Sequence, residues 1–238
     1  LGLDISSRGG RVLDTAAIAE LMGRTSLFGV LSEEARLGLA GTCRVRKFRR
    51  GQLVFSEGDE STSLVIVAEG RVKVAVHSPD GAELMLNIME PEGVAGDVGI
   101  IDGGPRSATA ETLTEAVIVF APADAVRDLM KSEPFFSEQM SQRMAALVRR
   151  LTGTTSDLVF LDLPKRVAKM LVTACEENGG NVADLGLTQS EVGARLGASR
   201  QSVNTALRNF ARRGLIDFDH HQVRVLDLPA LGRLAAGR

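Results

Sequence analysis

Tryptophan and tyrosine are absent from the 238 residues, and cysteine and histidine are scarce, at two and three. Cys43 and Cys175 stand far apart with no metal-type spacing, which argues against a disulfide framework, an iron–sulfur centre or a structural zinc site. His77, His220 and His221 are too few and too scattered for a metal cluster. No apolar run approaches the roughly 20 residues of a membrane-spanning helix. The segment Leu1–Arg11 mixes Asp4, Arg8 and Gly9-Gly10 and lacks a signal-peptide pattern, so a reduced, cytoplasmic setting with no membrane partner is expected. Strong charge of either sign is also missing. The net figure of −2 does not announce a nucleic-acid binder, although it can hide a local patch. What is present is 44% apolar residues, enough for two modest domains with real cores.

Periodicity divides the chain. Residues 1–25 read as an N-terminal extension with a short helix near Asp14–Met22, to which no chemistry attaches. Ser32 can cap a helix whose acidic start is Glu33-Glu34, ending by Ala40-Gly41. From Val45 to Phe120, short Val/Ile/Leu runs such as Leu53–Phe55, Ser63–Val67, Val72–Val76 and Ala116–Phe120 alternate with turn signals. The turns include Glu57-Gly58-Asp59, Glu69-Gly70 and Ser78-Pro79-Asp80-Gly81. This spacing predicts an antiparallel β-roll or barrel that can hold a small ligand. A helix is expected over Ala123–Met130, and a longer one from Phe135 to Leu161. On the longer helix Met140, Met144, Leu147, Leu151, Thr154 and Leu158 step by four and three, a heptad seam that fits a parallel homodimer. Asp162 can cap a new helix with Pro164 in its first turn, which marks a hinge.

The stretch from Gly96 to Thr109 has the make-up of a phosphate pocket. Glycines allow close backbone approach, and Gly103-Gly104-Pro105 delivers Arg106 and Ser107. A guanidinium can grip a phosphate with two parallel donors, and a hydroxyl and backbone N–H groups can complete the cradle. Asp97 supplies a carboxylate for sugar hydroxyls. Together these point to a nucleotide.

Near the C-terminus, Thr188-Gln189-Ser190-Glu191 is a capping box. Its helix ends near Leu196, Gly197-Ala198 makes a tight turn, and Ser199 caps a helix running to Arg213. Val192, Leu196, Val203 and Ala206 fall at buried helix-turn-helix positions, with Gly193 where the helices cross. Arg200, Gln201, Asn204, Thr205 and Arg208 lie on the other face of the second helix, which suits major-groove reading. From Thr188 to Gly214 there are five arginines and one acid, a local net of +4. Leu215–Phe218 and Gln222–Val225, with a turn at Asp219-His220, read as a hairpin wing.

In this order, roll, cassette, long helix, hinge, helix-turn-helix and wing resemble the cyclic-AMP receptor protein/fumarate–nitrate regulator superfamily of bacterial transcription regulators over residues 25–228. Phe160-Leu161-Asp162 and Ser199–Asn204 are close to motifs of its cyclic-AMP receptor branch. Ala95 stands where an aromatic is common, and Asp97 where glutamate is usual. The resemblance implies an α+β fold: a cyclic-nucleotide-binding roll over 26–134, a dimerisation helix and hinge over 135–161, and a winged helix-turn-helix over 162–238. It implies a cytoplasmic, non-enzymatic homodimer with no covalent cofactor and no metal. Its partners would be a cyclic nucleotide, a palindromic double-stranded DNA operator and RNA polymerase.

Residue roles follow from the same likeness. Arg106, Ser107 and the Ala108 N–H would hold the cyclic phosphate. Gly96 and Asp97 would meet the ribose, and Thr152 the base across the dimer. Leu151 lacks the hydroxyl that relatives use beside it, so selectivity between cyclic AMP and cyclic GMP stays open. Arg200 matches a guanine-reading arginine. Gln201 and Thr205 replace a glutamate and a second guanine-reading arginine, so the half-site should depart from TGTGA at its inner bases. Gln189, Ser199 and Ser202 match phosphate contacts, which orient without specifying sequence. Two other readings are the same scaffold working without a nucleotide or with another effector, and a nucleotide-gated enzyme subunit. No catalytic constellation in 160–238 supports the latter.

Overall fold

Turn glycines and β-branched runs lay out the strands expected after residue 44. The computed structural model describes residues 13–183, 185–218 and 223–236. Its elements are α1 (Thr15–Arg24), α2 (Glu33–Ala40), β1 (Arg44–Phe48), β2 (Leu53–Phe55), β3 (Ser63–Glu69), β4 (Val72–His77), β5 (Glu83–Met89) and β6 (Val94–Ala95). There follow α3 (Asp97–Asp102), β7 (Thr109–Thr112), β8 (Ala116–Pro122), α4 (Ala123–Ser132), α5 (Pro134–Phe160) and α6 (Leu163–Asn178). Last come β9 (Val182–Ala183), α7 (Gln189–Arg195), α8 (Arg200–Arg212), β10 (Ile216–Phe218), β11 (Val223–Val225) and α9 (Leu228–Ala235).

Two four-stranded sheets, ordered β1-β8-β3-β6 and β2-β7-β4-β5, make the roll. In the first, β3 lies between β8 and β6, with Val65 opposite both Phe120 and Ala95. Leu64 to Val67 are fully buried, so this strand reads as a continuous apolar run rather than an alternating one. At Gly70, φ is +83°, and an added Cβ would stand 2.1 Å from the Glu115 carbonyl oxygen, so only glycine fits that turn.

The chain divides into two compact units. One comprises residues up to Val72 with Met89–Met144, the other Lys73–Ile88 with Ala145 onward. The core of the first unit includes Leu64, Ile66, Ile100, Val119, Phe136 and Met140. Ile18, Leu21 and Met22 of α1 are buried in the same core, so the boundary expected at residue 25 does not set α1 apart from the roll. The reason is amphipathic: Asp14 caps α1, and Ile18, Leu21 and Met22 then fall three and four apart on one face.

In the second unit, Asp162 caps α6 as expected, its carboxylate accepting from the Lys165 N–H at 3.0 Å. Lys169 Nζ reaches both oxygens of Asp157 at 2.7 Å, tying the end of α5 to α6. The second core includes Val167, Leu171, Val203, Phe210, Ile216, Val225 and Leu231. The wing strands carry a third, β9, in the order β10-β11-β9. The expected turn at Asp219-His220, with His221 and Gln222, lies outside the described residues. Among the described residues no cluster of histidine, cysteine and acidic side chains suits a metal ion, and no helix is long and apolar enough to cross a membrane. Both cysteines are free, and burial pushes the Cys43 thiol up to about 12.

Candidate functional sites

The first site grows from two left-handed glycines. Gly96, at φ +94°, and Gly103, at φ +72°, bracket the six-residue α3. Asp102 then turns the chain, its carboxylate accepting from the Gly104 N–H at 2.8 Å. The backbone of Arg106 is clamped to the turn at 58–59: its N–H donates to Asp59 O at 2.8 Å, and its carbonyl accepts from the Gly58 N–H at 2.9 Å.

The clamp drives the Arg106 side chain inward, to 5% exposure. Its guanidinium lies 4.1 Å over the Phe55 ring, and Nη2 donates to Ser63 O at 2.6 Å. Nε and Nη1 are buried with no acceptor. Burial lowers its pKa, while Asp59 and Asp97 pull it back up. Buried, charged donors without acceptors are costly, and a phosphate would satisfy both. Ala108 is buried behind the arginine, and Ser107 is exposed beside it.

Gly96 is held to glycine by the same arginine. A Cβ there would stand 2.1 Å from Arg106 Nη1 and 3.3 Å from Ser63 O. Gly96→Ala is therefore expected to cost about 1–3 kcal/mol of stability through backbone strain alone. It should also weaken nucleotide binding by displacing the guanidinium. Thermal melting and titration of the variant check both effects.

Sequence reasoning missed a partner of Asp97. Arg143 of α5 donates to Asp97 Oδ2 from Nε at 2.9 Å and stands 2.8 Å away through Nη2, which also donates to Val94 O at 3.0 Å. Arg143 is not one of the heptad-seam residues of α5. It sits three residues after fully buried Met140, and that i+3 spacing was the available signal. Both contacts go to Oδ2, which leaves Oδ1 for a ligand hydroxyl. Phe55 was likewise missed, since nothing local ties it to Arg106.

On α5 the expected seam residues Met144, Leu147, Leu151, Thr154 and Leu158 are half-buried in the single chain. A neighbouring row, Ala145, Val148, Thr152, Thr155 and Val159, steps by three and four as well and is exposed throughout, Val148 at 62% and Val159 at 67%. Thr152 belongs to this outward row.

The second site is the helix pair α7–α8. The capping box closes: the Thr188 hydroxyl accepts from the Glu191 N–H, and Glu191 Oε2 from the Thr188 N–H at 2.6 Å. Ser199 caps α8, and its hydroxyl lies 2.9 Å from that of Ser202. Val192, Leu196, Val203 and Ala206 are buried as expected, and a Cβ at Gly193 would stand 2.6 Å from Ala198 O, so the helices cross closely there. Arg200, Gln201, Thr205 and Arg208 are exposed, while Gln189 and Asn204 are half-buried. The Thr205 hydroxyl donates to Gln201 O at 3.0 Å, which occupies its hydrogen within the helix. Thr205, Arg208, Asn209, Ala211 and Arg212 line an open depression of about 440 Å³.

Comparison with known proteins gives the family of both regions. The family model described as a cyclic nucleotide-binding domain matches residues 45–133, and that of a Crp-like helix-turn-helix domain matches residues 165–234. A CRP-like cAMP-activated global transcriptional regulator of Mycobacterium tuberculosis is 36% identical over 221 residues, covering 91% of this chain and 99% of the relative. The chain belongs to the Crp/Fnr family. The cyclic AMP receptor protein of Thermus thermophilus is 24% identical over 217 residues, covering 91% and 99%. A Crp/Fnr-family protein from Eubacterium rectale shares the fold at a TM-score of 0.71 and 20% identity, over 88% of this chain and 97% of that one. This Crp/Fnr protein is thus a transcription regulator, not an enzyme, with a nucleotide-binding roll and a DNA-binding helix-turn-helix. Gly96, Asp97 and Arg106 fall in the range matched by the first model, and Gln189 to Arg208 in the range matched by the second.

Proposed function

We propose that this regulator binds a cyclic nucleotide through Gly96, Asp97, Arg106, Ser107 and the Ala108 N–H, and as a homodimer recognises a palindromic operator. The observation that carries the reading is Arg106, a buried cation with two N–H groups lacking acceptors. A cyclic phosphate supplies the missing charge and acceptors, and Asp97 Oδ1 suits the ribose hydroxyl. Cyclic AMP is the preferred effector, because the 36%-identical relative is named as cAMP-activated. The test is calorimetric titration with cyclic AMP and cyclic GMP, since the chain has no tryptophan or tyrosine to report binding. Saturable binding of either supports the proposal. Binding of neither leaves a regulator with another effector. Recruitment of RNA polymerase belongs to the same proposal.

The dimer would form along α5. Leu147, Leu151 and Leu158 would lie at its centre, with the exposed row Val148, Thr152 and Val159 beside them, a broad apolar seam of heptad spacing. Two-fold symmetry then places the half-sites about one helical turn apart. The pair Val148→Glu and Leu151→Glu is expected to give a monomer in sedimentation at micromolar concentration while leaving the melting of each unit intact. A dimer that survives both substitutions would move the interface elsewhere.

A further inference from the structure

Asn204 is on the DNA-facing helix but does not face outward like its neighbours. It is half-buried, and its Nδ2 donates to Gln189 Oε1 at 2.8 Å. The same oxygen accepts from Arg200 Nε at 3.3 Å. Gln189 is the first residue of α7, and Arg200 and Asn204 lie one turn apart at the start of α8. One amide oxygen thus gathers a base-reading arginine and a side chain from its own helix.

The chemistry of this junction is directional. Arg200 spends Nε on Gln189, and Nη1 and Nη2 remain as the fork that matches guanine O6 and N7. A long, exposed arginine otherwise samples many rotamers, and fixing one before contact lowers the entropy lost on binding. An amide oxygen has two lone pairs, and here Asn204 and Arg200 fill both. The Asn204 bond also holds the Gln189 amide in the orientation that presents the oxygen to Arg200 and turns its NH2 group away. That group keeps two donors, which suit a backbone phosphate.

We infer that Asn204 is a positioning residue for DNA reading: it orients Gln189, Gln189 orients Arg200, and neither amide reads a base. The inference rests on the proposal that α8 enters the major groove, and it assigns Asn204 a different role from a direct base contact.

The experiment begins with selection of duplexes from a random pool by the unaltered dimer. The recovered palindrome and a copy with adenine at the Arg200-read guanine are then titrated, with a scrambled duplex for non-specific affinity. The unaltered protein is expected to prefer guanine by about tenfold to a hundredfold. Asn204→Ala should reduce that preference to within about threefold while leaving the scrambled duplex unaffected, because no phosphate contact is removed. Gln189→Met, which keeps length but removes the oxygen, should lower the guanine preference in the same way and guards against a folding defect in the first variant. It also removes the amide donors offered to a phosphate, so it weakens every duplex as well and is read by the guanine-to-adenine ratio alone. In an Arg200→Ala background neither substitution should change the preference further.

An equal loss on all duplexes for both variants would make the junction structural and overturn the inference. A changed preference that persists without Arg200 would make Asn204 a base reader and overturn it equally. If the unaltered protein retains no palindrome, the groove-reading proposal falls and takes this one with it. A clear palindrome with guanine preference unchanged in both variants defeats the positioning role alone.

Discussion

Arg106→Ala is expected to bind cyclic AMP about 100-fold more weakly than the unaltered protein, or not at all. The size follows from the loss of a charge-assisted, two-pronged contact in a buried site, a cost of about 3 kcal/mol or more. The variant should nonetheless fold. Burial already works against the Arg106 charge, and its removal takes away two unsatisfied donors as well as the packing on Phe55. Melting of the nucleotide-free variant within a few degrees of the parent would separate lost binding from lost fold. Arg106→Lys should fall between, since an ammonium keeps the charge and gives up the fork and the stacking plane. Asp97→Ala should weaken binding less, because a hydroxyl contact is neutral on one side, even though Arg143 also loses its carboxylate partner. Parental affinity in Arg106→Ala would show that the cassette is not where the nucleotide binds.

The second large effect is expected on the operator. Arg200→Ala should cost about 1–3 kcal/mol on the best duplex and relax one position. Arg200 sits in the first turn of α8, exposed, with its Nε donating to Gln189 Oε1. Thr205 cannot replace a second guanine-reading arginine. It is short, and its hydroxyl hydrogen goes to Gln201 O, so its methyl group is what it can offer to the groove. A thymine methyl meets that group, and the inner guanine should lose its preference. Arg212 lines the depression on α8, and its Nη2 donates to Asn209 Oδ1, which suits salt-dependent phosphate attraction rather than base choice. Selection from random duplexes checks this. Recovery of TGTGA with its inner guanine fully retained would refute the assignment of Thr205.

The nucleotide-binding domain and the helix-turn-helix were legible in the sequence because their signals are local. The cassette is one continuous stretch from Gly96 to Thr109, and the helix-turn-helix is announced by the capping box at Thr188–Glu191 and by Gly193, Gly197 and Ser199. The main strands and helices followed from turn residues and apolar period for the same reason. What stayed hidden depends on contacts between distant residues or on the phase of a helix. Nothing near Asp97 names Arg143, and nothing near Arg106 names Phe55. On α5, two rows one residue apart both step by three and four, and spacing alone does not say which row the chain covers. The short strands β6 and β9, two residues each, carry no period at all. The place of α1 in the first core, where Ile18, Leu21 and Met22 are buried in the same cluster as Phe136 and Met140, depends on packing between residues distant in sequence.

We propose further that occupancy of the roll by a cyclic nucleotide governs DNA binding. The unaltered protein is titrated onto its selected palindromic duplex with and without cyclic AMP, and with cyclic GMP, at one fixed salt concentration. Allosteric coupling between two binding sites is typically about 5- to 150-fold, so the account predicts that a cyclic nucleotide tightens the operator complex by about tenfold or more, and that Arg106→Ala removes the gain. The same operator affinity with no nucleotide, with cyclic AMP and with cyclic GMP would contradict it.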